Sequence, residues 1–245
     1  MEKGIHVVLA PEQLGTLFKI PITNTLITSW IVVLVLVALG FIVGSRVKMI
    51  PGKFQTLLEW MFGFAYDYIA ETLESREMAR RFFPLLMTIF LFIFTANILE
   101  FTPGIGSFGL FKHGEFLPIL RSVNTDLNVT LMLAILSFLV IEITGIVTIG
   151  AVKYGGKFLN FRSFIGFFVG IIELFSEIAR IISFSFRLFG NIFAGEVLIL
   201  VVVYFLPYAA PVPVMAFEVF VGFVQAAIFA VLTLFFIKIA IAEPH

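Results

Sequence analysis

The sequence predicts an all-α fold, a polytopic membrane helical bundle of about five spans that forms a single membrane domain over residues 1–245. Hydrophobic residues make up 60% of the chain, and only 13% of its residues are charged. Soluble domains carry about 25% charged residues. A soluble fold of this length has too little interior to bury so much apolar surface. The composition therefore excludes a soluble globular enzyme, and it also excludes a disordered chain.

Three further features narrow the class of protein. The formal net charge is zero, which argues against nucleic acid as a partner. The chain has no cysteine, so disulfides, zinc–thiolate sites and iron–sulfur clusters are excluded. No Gly-x-x-x-x-Gly-Lys-Ser/Thr loop occurs, so the chain is not expected to hydrolyse ATP by itself. We expect neither a cofactor nor a metal site.

The predicted elements follow from uncharged stretches long enough to cross about 30 Å of hydrocarbon. The first span is predicted at 24–45, and the next two at 82–103 and 126–150. A tilted hairpin of 164–205 and 212–241 follows, and Pro207, Pro211 and Pro213 mark its turn. Residues 54–73 mix aromatic side chains with carboxylates, which is typical of an amphipathic helix lying at the interface.

The predicted helix at 164–205 is too long to stand upright in a membrane. At 1.5 Å per residue, about 42 residues extend roughly 60 Å, which is twice the hydrocarbon thickness. We therefore expect this helix to be strongly tilted, bent or broken.

Lysine and arginine counts predict the orientation in the membrane. An N-terminus outside the cell leaves 4 of the basic residues outside and 10 in the cytoplasm. The outer ones are Lys3, Lys19, Lys112 and Arg121, and the inner ones include Arg46, Lys48, Lys53 and Lys153. The bias favours the cytoplasmic (inner) membrane of a cell, with the N-terminus outside and the C-terminus in the cytoplasm.

Ionisable residues inside the long fourth span need an explanation, because each costs at least 2.5–3.5 kcal/mol on insertion scales, roughly. Glu173, Arg180 and Arg187 are seven residues apart and therefore share one helix face, which Ser183 and Asn191 join. Glu196 comes nine residues after Arg187 and lies on the opposite face.

A second set of polar residues is predicted near the outer surface. Glu218 and Gln225 share a face of the last span, and Asp126 belongs to the polar cluster that opens the third span. Glu196 and Glu218 flank the proline-rich turn, so we expect them close together. Carboxylates in a wet cleft can pass protons, whereas an arginine stays protonated and acts as a fixed charge.

Structural interpretations of some of these residues remain open at this point. Glu173, Glu177 and Arg180 are also spaced as an i,i+3 and i,i+4 ion network, and Glu142 is equally consistent with a hydrogen bond between helices. A purely structural role suits Arg187 poorly, because the nearest acidic residues at helical spacing lie about ten positions away on either side.

The run from Ser185 to Glu196 contains Arg-Leu-Phe-Gly-Asn followed later by Ala-Gly-Glu. It resembles the signature of subunit a of F-type ATP synthases. The Asp126-Leu127-Asn128 helix start and Gln225 also fit that family, and Glu218 stands where some members carry histidine. The resemblance extends over nearly the whole chain.

The resemblance implies a proton-translocating stator subunit that is not an enzyme on its own. It implies two offset half-channels that load and unload carboxylates on a rotating ring of subunit c, with Arg187 between them. The implied outer path comprises Glu196, Glu218, Asn191, Gln225 and Asp126, and the implied inner path comprises Glu173, Arg180 and Ser183. Peripheral-stalk subunit b, the rest of the complex and the lipid bilayer are the other implied partners.

A proton-coupled secondary transporter is the alternative class. It predicts paired halves with broken helices and a midplane pocket, and the sequence has no matching halves. The sequence alone leaves open whether the ion is a proton or sodium, how many subunits form the ring, which direction the motor works in, and whether the membrane is bacterial or plastid.

Overall fold

The computed structural model describes residues 11–17, 20–100, 109–112, 115–156, 158 and 164–242. The predicted all-α membrane fold is confirmed, because five of the helices in these residues are long and apolar enough to cross a membrane. The helices are α1 (Asn24–Ser45), α2 (Lys53–Thr72), α3 (Arg76–Glu100), α4 (Leu127–Ile149), α5 (Ala151–Gly155), α6 (Phe164–Phe205) and α7 (Pro211–Ile241).

Two short antiparallel β-hairpins were not predicted. One pairs β1 (Gln13–Leu17) with β2 (Ile20–Thr23), and the other pairs β3 (Gly109–Lys112) with β4 (Glu115–Pro118). Strands of four or five residues carry too little alternation to stand out beside long apolar helices. The first hairpin leads directly into α1, and the Asn24 side chain donates to the Pro118 carbonyl oxygen at 3.4 Å.

Four helices differ in their bounds from the predicted segments; among them, α4 is one residue shorter at each end and α7 begins one residue earlier. Helix α3 begins at Arg76, six residues before the predicted span, because its charged first turns continue the helix beyond the apolar run. It ends at Glu100, and residues 101–103 of the predicted span lie outside the described residues. The interfacial helix α2 occupies Lys53–Thr72, against the predicted 54–73.

At the start of two spans, a side chain caps the N-terminus of the helix. Thr23 accepts a hydrogen bond from the Leu26 amide at 3.3 Å, and Asp126 accepts one from the Asn128 amide at 2.9 Å. Such caps satisfy backbone donors that a helix leaves unpaired at its N-terminus. Helix α7 begins with Pro211, whose missing amide hydrogen costs nothing at this position.

A glycine turn folds the short helix α5 back against α4. Gly150 has φ +94°, a backbone conformation that other residues rarely adopt. The turn brings the Tyr154 ring against Gly145, so closely that a side chain at 145 would overlap it. Tyr154 is buried as a result.

Helix α7 is the centre of the bundle. It packs along α3 and also contacts α4 and α6, while α1 and α2 pack on α3. The middle of the core holds apolar side chains from α3, α4, α6 and α7, among them Ile93, Ala134, Leu188 and Phe229. We call the end that carries the β-hairpins the hairpin end, and the opposite end the α2 end.

The α2 end is tied together by a turn and an ion pair. Glu74 adopts φ +54° between α2 and α3, and its carboxylate accepts a hydrogen bond from the Lys238 ammonium of α7 at 2.8 Å. The hydrogen bond and charge of Lys238 hold the pKa of Glu74 below its ordinary value. Helix α2 carries exposed apolar residues, including Phe54, Trp60 and Phe64, which is the pattern expected of an interfacial helix.

Candidate functional site

Arg187 lies near the middle of α6, on a side of the helix that the rest of the chain leaves partly uncovered. Its Nη2 donates to the Ser183 hydroxyl at 3.2 Å, and the Asn191 amide donates to the Arg187 carbonyl oxygen at 2.9 Å. Ser183 and Asn191 are exposed, and Arg187 is half-buried. Within the described part of the chain, no carboxylate forms an ion pair with Arg187. We call Ser183, Arg187 and Asn191 the arginine face.

Three carboxylates meet at the hairpin end, on α3, α6 and α7. Glu100 interacts electrostatically with Glu196, with Glu218 and with Arg121. The Ser122 hydroxyl donates to Glu100 at 2.8 Å. We call Glu100, Glu196 and Glu218 the carboxylate cluster.

Close contact between α6 and α7 puts Glu218 in this cluster. Its side chain is only 6% exposed and lies against Gly195, where an added side chain would overlap the Glu218 carboxyl group. The neighbouring Glu196 has one carboxyl oxygen that is buried with no hydrogen-bond partner in the described residues. Arg121 and Thr125 lie beside this carboxyl group. Glu218 thus lies beside the residue that precedes Glu196, and both carboxylates interact electrostatically with Glu100.

Two asparagines hold α3 against α7 one turn below Glu218. The Asn97 side-chain amide donates to the Gly222 backbone carbonyl oxygen at 3.0 Å. The Asn124 side-chain amide donates to Asn97 Oδ1 at 2.6 Å. A side chain at Gly222 would come within 2.8 Å of the Asn97 Cβ. These bonds engage the side-chain NH2 groups of two fully buried amides and fix the helix that carries Glu218, while Asn124 Oδ1 has no hydrogen-bond partner among the described residues.

Asp126 anchors the start of α4. Its carboxylate accepts from the Thr25 hydroxyl at 2.7 Å and from the backbone and side-chain amides of Asn128 at 2.9 and 3.0 Å. The side chain thus joins α4 to α1. Gln225 is buried on α7, two turns beyond Glu218. Their roles in an ion path stay predictions.

A third polar group lies toward the α2 end. Arg180 pairs with Glu177, which is 3% exposed, and its guanidinium lies 3.9 Å from the centre of the Phe236 ring of α7. Arg180 is therefore directed toward the core, although its spacing puts it on the stripe of Arg187. The structural ion pair that the spacing left open for Glu177 and Arg180 is present, and Glu173 is half-buried one turn earlier.

Tyr154 connects this group to α4. Its hydroxyl donates to Glu142 at 3.1 Å, and it interacts electrostatically with Glu177 and Arg180. Burial, with the Glu142 carboxylate, raises the pKa of Tyr154 above its ordinary value. The phenol therefore stays protonated and remains a donor. We call Glu142, Tyr154, Glu177 and Arg180 the inner cluster.

Several of these residues escaped the sequence analysis. Asn97, Glu100 and Ser122 were not singled out, and Arg121 counted only as a loop charge. Asn97 is an amide within an uncharged run, and Glu100 is the first acid after it. A polar residue in or next to an apolar span is the signal that was available.

The described features define a multi-pass membrane protein with ionisable residues clustered along its spans. Residues 26–238 match the family model described as ATP synthase A chain. The chain is 30% identical to ATP synthase subunit a of Moorella thermoacetica over 227 residues, 93% of this chain and 94% of that protein. It is 32% identical to ATP synthase subunit a of Syntrophobacter fumaroxidans over 244 residues, 99% of this chain and 94% of that protein.

The chain belongs to the ATP synthase subunit a family. It is a non-catalytic membrane subunit of the ATP synthase complex and takes part in its proton transport. Family membership decides against the secondary transporter that the sequence analysis kept as an alternative.

The Glu177–Arg180 pair predicts how substitutions of these two residues change the stability of the protein. Arg180→Gln leaves Glu177 buried beside one fewer cation, and removing one partner of a buried pair costs about 3–5 kcal/mol. We expect a lower Tm for the purified protein in detergent, and we expect Glu177→Gln combined with Arg180→Gln to recover most of the loss. Equal and additive losses from the two substitutions would contradict the pairing.

Proposed function

We propose that the chain is the proton-conducting stator of its ATP synthase and forms two offset half-channels on either side of Arg187. The observation that carries the proposal is the arginine face, a guanidinium with no ion pair among the described residues, on a partly uncovered side of a 42-residue apolar helix. Burying such a charge without a partner is costly. A partner carboxylate that comes and goes accounts for its presence there.

The outer half-channel runs through the carboxylate cluster. Glu196 and Glu218 relay protons, and Glu100 lies within electrostatic reach of both. Asn191, Gln225 and Asp126 are the other lining residues, although the three donors on Asp126 suit an anchor at the mouth better than a relay. The basic-residue bias supports the hairpin end as the outside of the cytoplasmic membrane.

The inner half-channel starts from Ser183 on the arginine face and passes Arg180 and Glu173 toward the α2 end. Arg180 cannot lose its proton, so it orients carboxylates and does not relay. On this path the buried Glu177 carboxyl group can exchange a proton, and the hydroxyl of Tyr154 can donate a hydrogen bond. The cytoplasm lies beyond the α2 end in this orientation.

Arg187 keeps the two half-channels apart. Its permanent charge repels an excess proton and attracts a deprotonated carboxylate on a passing ring subunit. A ring carboxylate therefore releases its proton to the inner path before reaching Arg187 and takes up another from the outer path after leaving it. Proton flow then turns the ring, which drives ATP synthesis elsewhere in the complex.

The uncovered side of α6 is the surface for ring subunit c. Gly190 and Ala194 carry little or no side chain next to the arginine face, and small residues let membrane helices approach closely. Exposed apolar residues of the same helix, including Ile172, Ile182 and Phe186, supply the rest of the contact. Peripheral-stalk subunit b and lipid cover other faces of this single membrane domain.

Substitution of Arg187 tests the proposal directly. Arg187→Ala should abolish ATP synthesis driven by an imposed proton gradient in vesicles, while the complex still assembles. Arg187→Lys should restore little, because an ammonium is more strongly hydrated and can lose its proton when buried. Arg76→Ala, which removes an exposed arginine at the α2 end, should leave synthesis unchanged. Coupled synthesis by Arg187→Ala complexes would refute the assignment.

The outer path is tested at its two central carboxylates. Glu196→Leu and Glu218→Leu should slow proton flux into the complex from the outside, because they remove both the relay group and its hydration. Glu196→Gln and Glu218→Gln should slow the flux less, since an amide keeps water in the path. The measurement is the rate of gradient-driven synthesis in vesicles. Glu74→Gln, a carboxylate lost at the opposite end, is the control, and wild-type rates for both Leu variants would rule the path out.

The ring-facing surface is tested by crosslinking, which the cysteine-free chain makes simple. Ser183→Cys and Asn191→Cys, labelled with a benzophenone maleimide in the assembled complex, should crosslink to subunit c. Ser185→Cys is the matched control, because Ser185 is fully buried and its hydroxyl lies 3.1 Å from that of Thr130 on α4. Crosslinks to c from position 185, with none from 183 and 191, would mean that the faces are assigned wrongly.

A further inference from the structure

A cleft of about 480 Å³ separates the end of α1 from the beginning of α2. Its walls are mainly apolar, with Ile42 and Val43 on one side and Phe54, Leu58 and Phe62 on the other, and Arg46 stands at its edge. The proton paths proposed above use none of these residues. An open apolar cleft at the membrane surface exposes area that water solvates poorly, so it is suited to an apolar ligand.

Hydrogen bonds hold the segment that closes one end of the cleft. The Gln55 side chain accepts from the Lys48 amide at 3.1 Å and donates to the Lys48 carbonyl oxygen at 3.0 Å. The side-chain nitrogen of Gln55 also donates to the Glu59 carboxylate, at 2.7 Å. The link between α1 and α2 is thus fixed to α2, and the cleft is preformed.

Basic residues gather in this stretch of the chain, and Arg46 among them lines the cleft. Arg46, Lys48 and Lys53 lie within eight residues of one another, and the described residues contain no ion pair to any of them. Glu59 is the acidic residue in the wall, and Gln55 engages its carboxylate. Helix α2 begins at Lys53 after Gly52, which supplies no side-chain cap, so the positive end of its dipole adds to the field.

The order of these groups matches one kind of molecule. The basic residues follow the end of α1, whereas Ile42 and Val43 lie up to one turn inside the span. The apolar surface of the interfacial helix α2 continues from Phe54 to its other exposed apolar residues. An occupant therefore needs an anionic head at the membrane surface and an apolar chain that extends toward the hydrocarbon. Basic pockets between membrane helices on the cytoplasmic side bind acidic phospholipid head groups.

We propose that this cleft binds an anionic glycerophospholipid. Its phosphate lies at Arg46, with Lys48 and Lys53 as further cations, and one acyl chain lies against Val43, Leu58 and Phe62. The lipid completes the packing between α1 and α2, which the protein itself leaves open. Phosphatidylcholine fills the cleft less well, because its choline brings a positive charge into a site that is already basic.

The test compares phosphatidylglycerol with phosphatidylcholine on the intact purified complex, with bound lipid counted on the released chain by native mass spectrometry. The unmodified complex should retain phosphatidylglycerol in preference to phosphatidylcholine. Arg46→Gln should weaken phosphatidylglycerol binding about fivefold, the equivalent of about 1 kcal/mol per basic residue at an acidic membrane surface. Arg76→Gln removes the same charge away from the cleft and should leave binding unchanged.

A second variant separates the cleft from general surface charge. Leu58→Trp fills the apolar part and keeps all three cations, so it should also lose the bound phosphatidylglycerol. Unchanged binding in both Arg46→Gln and Leu58→Trp would overturn the proposal. A photoreactive benzoylphenylalanine in place of Leu58 should yield a lipid adduct in the assembled complex. A crosslink to another protein chain would overturn the proposal, because a protein would then occupy the cleft.

Discussion

The cost of placing a charge or an unpaired polar group in hydrocarbon governs the arrangement of this protein. Asn97 and Asn124 are fully buried and hydrogen-bonded. The Asn97 side-chain amide donates to the Gly222 carbonyl oxygen, and that of Asn124 donates to Asn97 Oδ1. Arg180 is compensated by Glu177 and the Phe236 ring. Arg187 differs from these, because its guanidinium forms no ion pair among the described residues: it donates to a serine hydroxyl and lies 5.9 Å from the centre of the Phe184 ring. Arg187 is therefore the arginine of this helix for which a partner carboxylate has to be sought outside the described residues.

The helices were predictable because a span needs an apolar run long enough to cross the hydrocarbon of the membrane, and such runs are visible in the sequence. The faces of α6 were predicted less completely. Heptad spacing put Arg180 and Arg187 on one stripe, yet a long arginine side chain can reach around its helix, and Arg180 reaches the ring of Phe236. Asn97 and Glu100 were missed because their partners, Gly222 on α7 and Ser122 in the segment before α4, are distant in the sequence, and no local pattern reports such contacts.

Small residues decide which sides of α6 are open and which are closed. At Gly195 the absence of a side chain admits the Glu218 carboxyl group from α7, so this glycine is filled by the protein itself. At Gly190 none of the described residues lies within 4 Å of the place that a side chain would take, so this glycine leaves space beside Arg187. One helix thus uses the same residue type to build an internal contact and to leave room for an external one.

The spacing along α6 shows why the chain cannot complete a proton path alone. Glu196 follows Arg187 by nine residues and Glu177 precedes it by ten, which correspond to about 13 and 15 Å along a helix axis. Protons pass between groups at hydrogen-bond distance, near 3 Å. Arg187 itself gives up no proton, so it cannot shorten either gap. In the proposed mechanism protons pass from the outer path to the inner path on ring carboxylates, which carry them around the ring and move past the arginine face only after releasing them. In that mechanism the separation of the two clusters makes conduction depend on movement of the ring, and this dependence couples proton flow to rotation.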